Sequence, residues 1–303
     1  MKKVSIVTVN YNHSHVTDEL LDSIAKKNTY SNLEIIVVDN ASLVNPVPTW
    51  ILKYPAVKFI RSEINLGFAG GNNVGIKAAT GDYLFLINND TEITDGLIET
   101  LVSTLDNHPE VGMVSPKIKY FDQPDMLQYA GYTPMNYFTA RNSCIGQFEI
   151  DKGQYDHVTG ITGFAHGAAM MVKKEAIEKA GMMSENFFLY YEEMDWSDHI
   201  KKQGYKVWVN MQALIYHKES ISVGKGSALK EYFMTRNRIL FTRRNAKPYQ
   251  QLVFYFHYLF LVTPRNIVSY IKNGNASFIK QLFRAIWWNI SNDTDSTYLG
   301  FKE

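Results

Sequence analysis

Three segments set far apart in this chain carry carboxyl and amide groups in patterns suited to handling phosphates and hydroxyls: VVDNAS around Asp39, LINNDTEI around Asp90, and FFLYYEEMDW around Glu193. In the middle one, an apolar run (Tyr83–Ile87) stops abruptly at Asn88-Asn89-Asp90. Such a run reads as a buried strand, and polar groups at its carboxyl edge lie where open α/β sheets bind ligands. Asp90 offers hard oxygen ligands suited to Mg²⁺ or Mn²⁺ bridging a diphosphate; the alternative is an N-cap for a helix starting near Asp95. His217 ends the run Ile215-Tyr216-His217 and could complete such a site, although a lone histidine at a strand end is more often structural.

Glu192, Glu193 and Asp195 crowd three carboxylates into one helical turn beside Trp196. At about 100° per residue they cannot share one face, so at least one points away from its neighbours, toward a cleft or partner. Like-charge crowding and an aromatic wall raise a carboxylate's pKa, which suits a general base. A solvated helix start favoured by the helix dipole explains the same residues. Asp39 reads as a turn or cap residue; paired with the polar end of the first strand it could hydrogen-bond a nucleoside base or ribose.

The elements that must position these groups follow from periodicity. From Lys3 to Ile118 short β-rich runs alternate with amphipathic helices, the signature of a parallel sheet flanked by helices. VSIVTV, LEIIVVD, VKFI, YLFLI and VGMVSPKI are the five strands, with helices near His15–Lys27 and over Leu97–Leu105 between them. The Gly-rich segment NLGFAGGNNVG follows the third strand. A dinucleotide fingerprint belongs to the first strand-to-helix turn, which here is Asn10-Tyr11-Asn12-His13. Its glycines therefore let the backbone approach a ligand or helix, or form only a loop and cap. Irregular hairpins are expected from Tyr120 to Gly163, then helices over Lys173–Ala180 and Glu192–Gln203, the short strands KVWVN and ALIYH, and a helical, aromatic region from Ala228. A softer boundary falls near residue 220.

Lys and Arg (31) nearly cancel Asp and Glu (30), so the overall field gives no argument for nucleic acid as a partner. One cysteine, Cys144, excludes an internal disulfide framework, and MKKVS runs into a strand without the apolar stretch of a secretory signal, which points to the cytoplasm, or to the inner face of the cell membrane. The run Leu252–Val262 is shorter than the roughly 20 residues a bilayer core requires and reads as a core or interfacial helix.

Taken in order, SIVTVNYN, IIVVDNAS, NLGFAGGNNVGIKAATGDYLFLINNDTEI, GAAMMVKKEAIEKAGMMSENFFLYYEEMDW and IYH resemble the family 2 glycosyltransferases with the GT-A fold, above all the bacterial rhamnosyltransferase-like branch, over residues 3–220. The resemblance implies an α/β fold with a mostly parallel central sheet flanked by helices, a Rossmann-like nucleotide-binding half and a C-terminal helical extension. It implies inverting, Mn²⁺- or Mg²⁺-dependent transfer of a sugar, rhamnose from a dTDP-linked donor, to a hydroxyl of a glycan or polyprenyl-linked acceptor in surface-polysaccharide assembly. By the same resemblance, Thr8, Asn10, Tyr11, Asp39 and Asn40 hold the nucleoside, and Asn65, Gly71, Asn73, Asn88 and Asn89 complete the donor site. Asp90 binds the metal with His217, while Asn88 stands where the family has the first carboxylate of its Asp-any-Asp motif. The acidic pair falls on Glu192-Glu193, with Glu193 as base and Asp195 beside it, and Lys225 in a Gly-Lys-Gly loop reaches the diphosphate. The missing first carboxylate keeps open a non-catalytic nucleotide-sugar or glycan-binding protein on the same scaffold; a nucleotidyltransferase is a weaker rival. The basic and aromatic run YFMTRNRILFTRRN, with the aromatic helices after it, fits membrane-surface contact; subdomain packing or a homodimer interface explains the same residues and is the favoured reading.

Overall fold

The computed structural model describes residues 1–218 and 227–301. The first half alternates as its periodicity dictates: β1 (Val4–Asn10), α1 (Ser14–Lys27), β2 (Leu33–Asn40), α2 (Val47–Lys53), β3 (Val57–Ser62), α3 (Gly67–Ala78), β4 (Tyr83–Ile87), β5 (Thr91–Ile93), α4 (Leu97–Asn107) and β6 (Val111–Tyr120). β7 (Leu127–Tyr129), β8 (Thr159–Ile161) and β9 (Ala169–Lys173) follow, then α5 (Lys174–Ala180), a single 3₁₀ turn at Glu185–Phe187, α6 (Glu192–Lys202) and β10 (Lys206–His217). The helical end comprises α7 (Ala228–Asn245), α8 (Pro248–His257), α9 (Thr263–Lys272) and α10 (Ser277–Ser291), with a widened π turn at Tyr258–Val262 just before Pro264, whose missing N–H cannot close a normal turn.

The strands form one sheet in the order β3-β2-β1-β4-β9-β6-β10-β5, with β7 added beside β6 and β8 beside β10. Four neighbours, β3, β2, β1 and β4, are parallel, as are β6 and β10. The sequence reading passes over β9. AMMVK, given no strand there and with only Lys173 assigned to the following helix, is an antiparallel strand wedged between β4 and β6, fully buried along its length. A continuous apolar run of five is ambiguous between strand and helix on periodicity alone. The Gly-rich segment is a helix rather than a loop. KVWVN and ALIYH are one strand, irregular between Asn210 and Leu214.

Two hydrophobic clusters sandwich the sheet. One packs Leu20, Ile24, Leu97, Leu101 and Leu105 of α1 and α4 against Ile6, Phe85 and Val114; the other packs Ala69, Ile76, Ala176, Trp196 and Ile200 of α3, α5 and α6 against Val7, Leu84 and Val172. Small residues let α3 sit close: a Cβ at Gly75 would lie 2.2 Å from Val7 Cγ1. α7 then docks its buried side, Phe233, Leu240 and Phe241, against the segment that leads into α6 and against α10.

Candidate active site

The strand order reverses between β1 and β4, because β2 lies on one side of β1 and β4 on the other. A crevice opens at the carboxyl ends of such a pair, and the polar strand ends meet there. Asn89 Nδ2 donates to Thr17 Oγ1 (3.0 Å), Thr17 donates to Asn10 Oδ1 (3.1 Å), and Asn10 Nδ2 donates to Asp39 Oδ1 (2.8 Å) and Ser42 Oγ (3.0 Å). One hydrogen-bonded chain thus ties the ends of β4, β1 and β2. Asp39, fully buried, also accepts from Ser42 Oγ at 2.5 Å and pairs with Arg61 from β3. Over this floor lies a cavity of about 290 Å³ lined by Asn10, Asn12, Ser14, Ser42, Leu43 and Val44.

Register places the next pair. Asp90 follows β4 by three residues; β5 then pairs antiparallel with β10, Thr91 opposite His217, which brings Asp90 beside the histidine. Asp90 Oδ1 and His217 Nε2 stand 3.1 Å apart, both buried, yet they are not aligned as a hydrogen bond and neither has another partner. Gln128 Oε1 lies 2.8 Å from His217 Nδ1. With that oxygen accepting, the proton sits on Nδ1, and Nε2 turns its lone pair toward the carboxylate oxygen. Two buried lone pairs facing each other suit a shared cation, and a second-sphere acceptor on the far ring nitrogen is the usual support of a metal-binding histidine. The donor set, one carboxylate and one imidazole, fits Mn²⁺ at least as well as Mg²⁺. Among the described residues no group of three or more His, Cys, Asp or Glu gathers to hold a metal, so the remaining ligands would be water and donor phosphate. Asp90 caps no helix: α4 begins behind Gly96, whose left-handed φ of 72° makes the turn.

The carboxylate pair opens α6. Glu193 is half-buried and faces the turn before β9: a Cβ at Gly167 would sit 3.9 Å from Glu193 Cδ. His166, next to Gly167, has its ring 6.4 Å from that of His217 and stacked on Tyr132. The His166–Gly167 turn therefore lies between the Asp90–His217 pair and Glu193. Burial pushes the Glu193 carboxyl up to about 7, winning over the backbone N–H groups at the helix start that favour the charged form. Glu192 is raised well above the usual range, by burial and then by Glu193's charge, and its Oε2 has no partner. Burial holds His166 low, near 3, so its ring is neutral.

The segment that delivers this pair is strained, with Phe188, Tyr190 and Tyr191 at φ of 65°, 73° and 75°. Non-glycine residues adopt such values only where their surroundings impose them. α7 imposes them here. Asn237 Nδ2 donates to the carbonyls of Phe187, Leu189 and Tyr190 (2.8–2.9 Å), and fully buried Arg236 donates to Asn186 O (2.7 Å) while lying 3.9 Å over the Trp288 ring.

Several expectations change accordingly. Asp195 points away from the cleft; it is fully buried and accepts from Arg244 Nε (3.2 Å), Asn245 Nδ2 (2.6 Å) and Ser184 Oγ (3.1 Å), an anchor between α6 and α7. Thr8 is fully buried within β1, and its hydroxyl has no hydrogen-bond partner. Gly71 serves packing, since a Cβ there would sit 2.8 Å from Val9 Cγ1. Asn73 pins the 183–185 segment by donating to Met183 O and Glu185 Oε1 (2.9 Å each). Asn40 donates to Asn65 Oδ1 (3.0 Å) and accepts from Leu66 N (2.9 Å), so these two asparagines shape the entry to α3. Asn88 and Tyr11 are partly exposed at the strand ends. Lys225 lies outside the described residues. Of the basic run on α7, Arg236, Arg243 and Arg244 are spent on internal partners, which removes them as a membrane-facing patch. Ser42, Arg61, Thr17, Gln128, His166 and Asn237 escaped sequence reading; Asn237 is one polar residue among many in the basic, aromatic α7.

A model of glycosyl transferase family 2 matches residues 5–181. A low-salt glycan biosynthesis hexosyltransferase of Haloferax volcanii is 27% identical over 246 residues, covering 78% of this chain and 74% of its own. An N-acetylglucosaminyl-diphospho-decaprenol L-rhamnosyltransferase of Mycobacterium tuberculosis is 21% identical over 234 residues, covering 70% and 75%. Among solved structures, a mannosyltransferase of Pyrobaculum calidifontis in complex with GDP-Man and Mn²⁺ superposes with a TM-score of 0.61 at 17% identity over 96% of this chain and 87% of that one. TarS 1-349 of S. aureus in complex with UDP-GlcNAc gives 0.62 at 16% identity over 95% and 80%. Those likenesses establish the GT-A fold, and the family match settles the assignment: this chain belongs to glycosyl transferase family 2.

Proposed function

We propose that the chain is an inverting, metal-dependent glycosyltransferase that moves rhamnose from dTDP-rhamnose to a hydroxyl of a glycan or lipid-linked acceptor in bacterial surface-polysaccharide synthesis. The observation that carries the reading is the convergence of Glu193, with a carboxyl near 7, and the Asp90–His217 pair on either side of the His166–Gly167 turn. A sugar hydroxyl is too weak an acid to attack unaided, and a carboxylate that accepts its proton contributes about 10²–10⁴-fold. Glu193 takes that proton as the acceptor oxygen attacks the anomeric carbon from the face opposite the leaving nucleoside diphosphate, so configuration inverts. Asp90 and His217 would hold the divalent cation, and when bound it supplies Lewis-acid stabilisation of the departing diphosphate. Asn10, Ser42 and Asp39 shape the nucleoside end. The rhamnose assignment is supported by the motif order and by the mycobacterial relative.

Titrating a panel of nucleotide sugars by calorimetry, with and without Mn²⁺, tests the reading. Metal-dependent binding of dTDP-rhamnose that disappears in Asp90→Ala supports it; equal affinity in the variant removes Asp90 from the metal site. Mn²⁺-dependent donor hydrolysis separates a transferase from a binding protein on the same scaffold.

A further inference from the structure

A second cavity, about 270 Å³, lies between α7, the α8–α9 elbow and the 140–142 loop, and it shares no lining residue with the one over Asn10 and Asp39. Its character is cationic. Arg141 and Arg238 line it, Arg265 on α9 is close enough to repel Arg238, and none of the three has a carboxylate partner among the described residues. The one acid in its wall, Glu231, accepts from the Tyr270 and Thr235 hydroxyls on its Oε1 and is outnumbered by the arginines. Donors are left over as well. Arg238 spends Nη2 on Thr139 O (2.6 Å), but its buried Nε has no partner, and neither does the buried Nδ2 of Asn142. A buried donor without an acceptor costs free energy, and two of them beside a surplus of positive charge form a receptor for an anion rich in oxygen acceptors.

The location says which anion. Tyr191 forms part of the wall and stands two residues before Glu193, with its phenol in the field of both Glu193 and the Arg238–Arg141 pair, so the cavity lies near the proposed base. Its other wall, Tyr258 and Asn266, belongs to the α8–α9 elbow, whose outer face exposes Phe256, Leu259, Phe260, Leu261, Val268 and Ile271. Cationic donors beside the base, continuous with an unpartnered apolar ridge, complement a molecule with a phosphate head and a hydrocarbon tail.

We infer that this cavity seats the phosphate or diphosphate of a lipid-borne acceptor, with Arg141, Arg238 and Asn142 holding the head and the α8–α9 ridge receiving the tail. The inference rests on the glycosyltransferase reading for its place in the reaction, but its test reads binding alone, so either can fail while the other stands. Calorimetric titration of the full chain with farnesyl diphosphate, inorganic pyrophosphate and farnesol, in chelator so that the Asp90–His217 end takes no part, distinguishes the sources of the phosphate. Farnesyl diphosphate should bind at least tenfold more tightly than pyrophosphate, and Arg141→Gln and Arg265→Gln, both at exposed positions and so compatible with folding, should each weaken it about tenfold. Phe260→Ser should reduce the advantage over pyrophosphate without changing pyrophosphate affinity. Unchanged affinity in both arginine variants overturns the site; equal affinity for pyrophosphate and farnesyl diphosphate overturns the lipid assignment.

Discussion

The sharpest prediction concerns Glu193→Gln, because one feature of that carboxyl controls both activity and stability. Burial lifts it from an ordinary 4.5 to about 7, so the folded protein holds a proton there that the unfolded chain releases. A carboxyl raised on folding contributes stability that is complete below the unfolded value and is lost as pH climbs through the folded one. The gap of about 2.5 pH units, at about 1.4 kcal/mol for each, means that about 3 kcal/mol of stability disappears between pH 4.5 and pH 8. Glutamine keeps the shape without the charge. The variant should therefore be more stable than the parent by about 3 kcal/mol at pH 8 and nearly equal to it at pH 4.5, as read by urea unfolding at both pH values. Transfer by the parent should rise about tenfold from pH 6 to pH 8, as the ionised fraction grows from about 10% to about 90%, and the glutamine variant should lose at least about 10²-fold at pH 8. A parent profile flat across that range, or a variant no more stable at pH 8, would refute the reasoning about burial; near-parental transfer by a well-folded variant would refute the role of base.

Other expectations follow from single contacts. Gln128→Leu removes the acceptor that fixes the His217 tautomer and should weaken Mn²⁺-dependent donor binding by about 10–100-fold in calorimetry. Asn237→Ala strips three loop carbonyls of their donor and should destabilise by about 1–3 kcal/mol, lowering kcat more than it raises KM for the donor. Gly75→Ala drives a methyl into Val7 and should cost about 1–3 kcal/mol in denaturant unfolding with no change in donor KM. Arg61→Gln leaves the buried Asp39 carboxylate without its ion pair; measured affinity for the nucleoside diphosphate alone should fall while metal affinity stays the same.

Legibility in the sequence divided along physical lines. Local periodicity was sufficient for β1, β2, β4, α1, α4 and α6, because each buries one face or a continuous run, and β-rich composition marked the half-buried β3. Strand ends announced Asp39 and Asp90, since a polar group after an apolar run has few other uses, and the crowded carboxylates of a helix start announced Glu193. The order of strands was not readable. β9 enters the sheet beside β4 only through contacts across some 85 residues, and short apolar runs look alike in strand and helix. Nor could spacing separate groups that bond one another from groups left to bond a ligand. Asn40, Asn73 and Asp195 have the residue types of a binding site and are consumed by neighbours, whereas Gln128 and His166 lie in segments with no periodic signal at all. The arginines of α7 make the same point: charge in a sequence suggests a surface, yet Arg236 is fully interior, stacked on Trp288.

The inserted strand has a consequence for how this chain can be divided. β9 is paired on one side to β4 through Tyr83–Lys173 to Ile87–Ala169 and on the other to β6 at Met113 and Val114. A fragment ending before it would expose two bare, apolar interior edges, a template for self-association. The nucleotide-handling half is thus no transplantable cassette: the polypeptide must be made past Lys173 before the earlier strands can close. The His166–Gly167 turn, which links donor and acceptor sides, is rooted in that same late-arriving segment. Exchanging acceptor preference by swapping halves should yield aggregates.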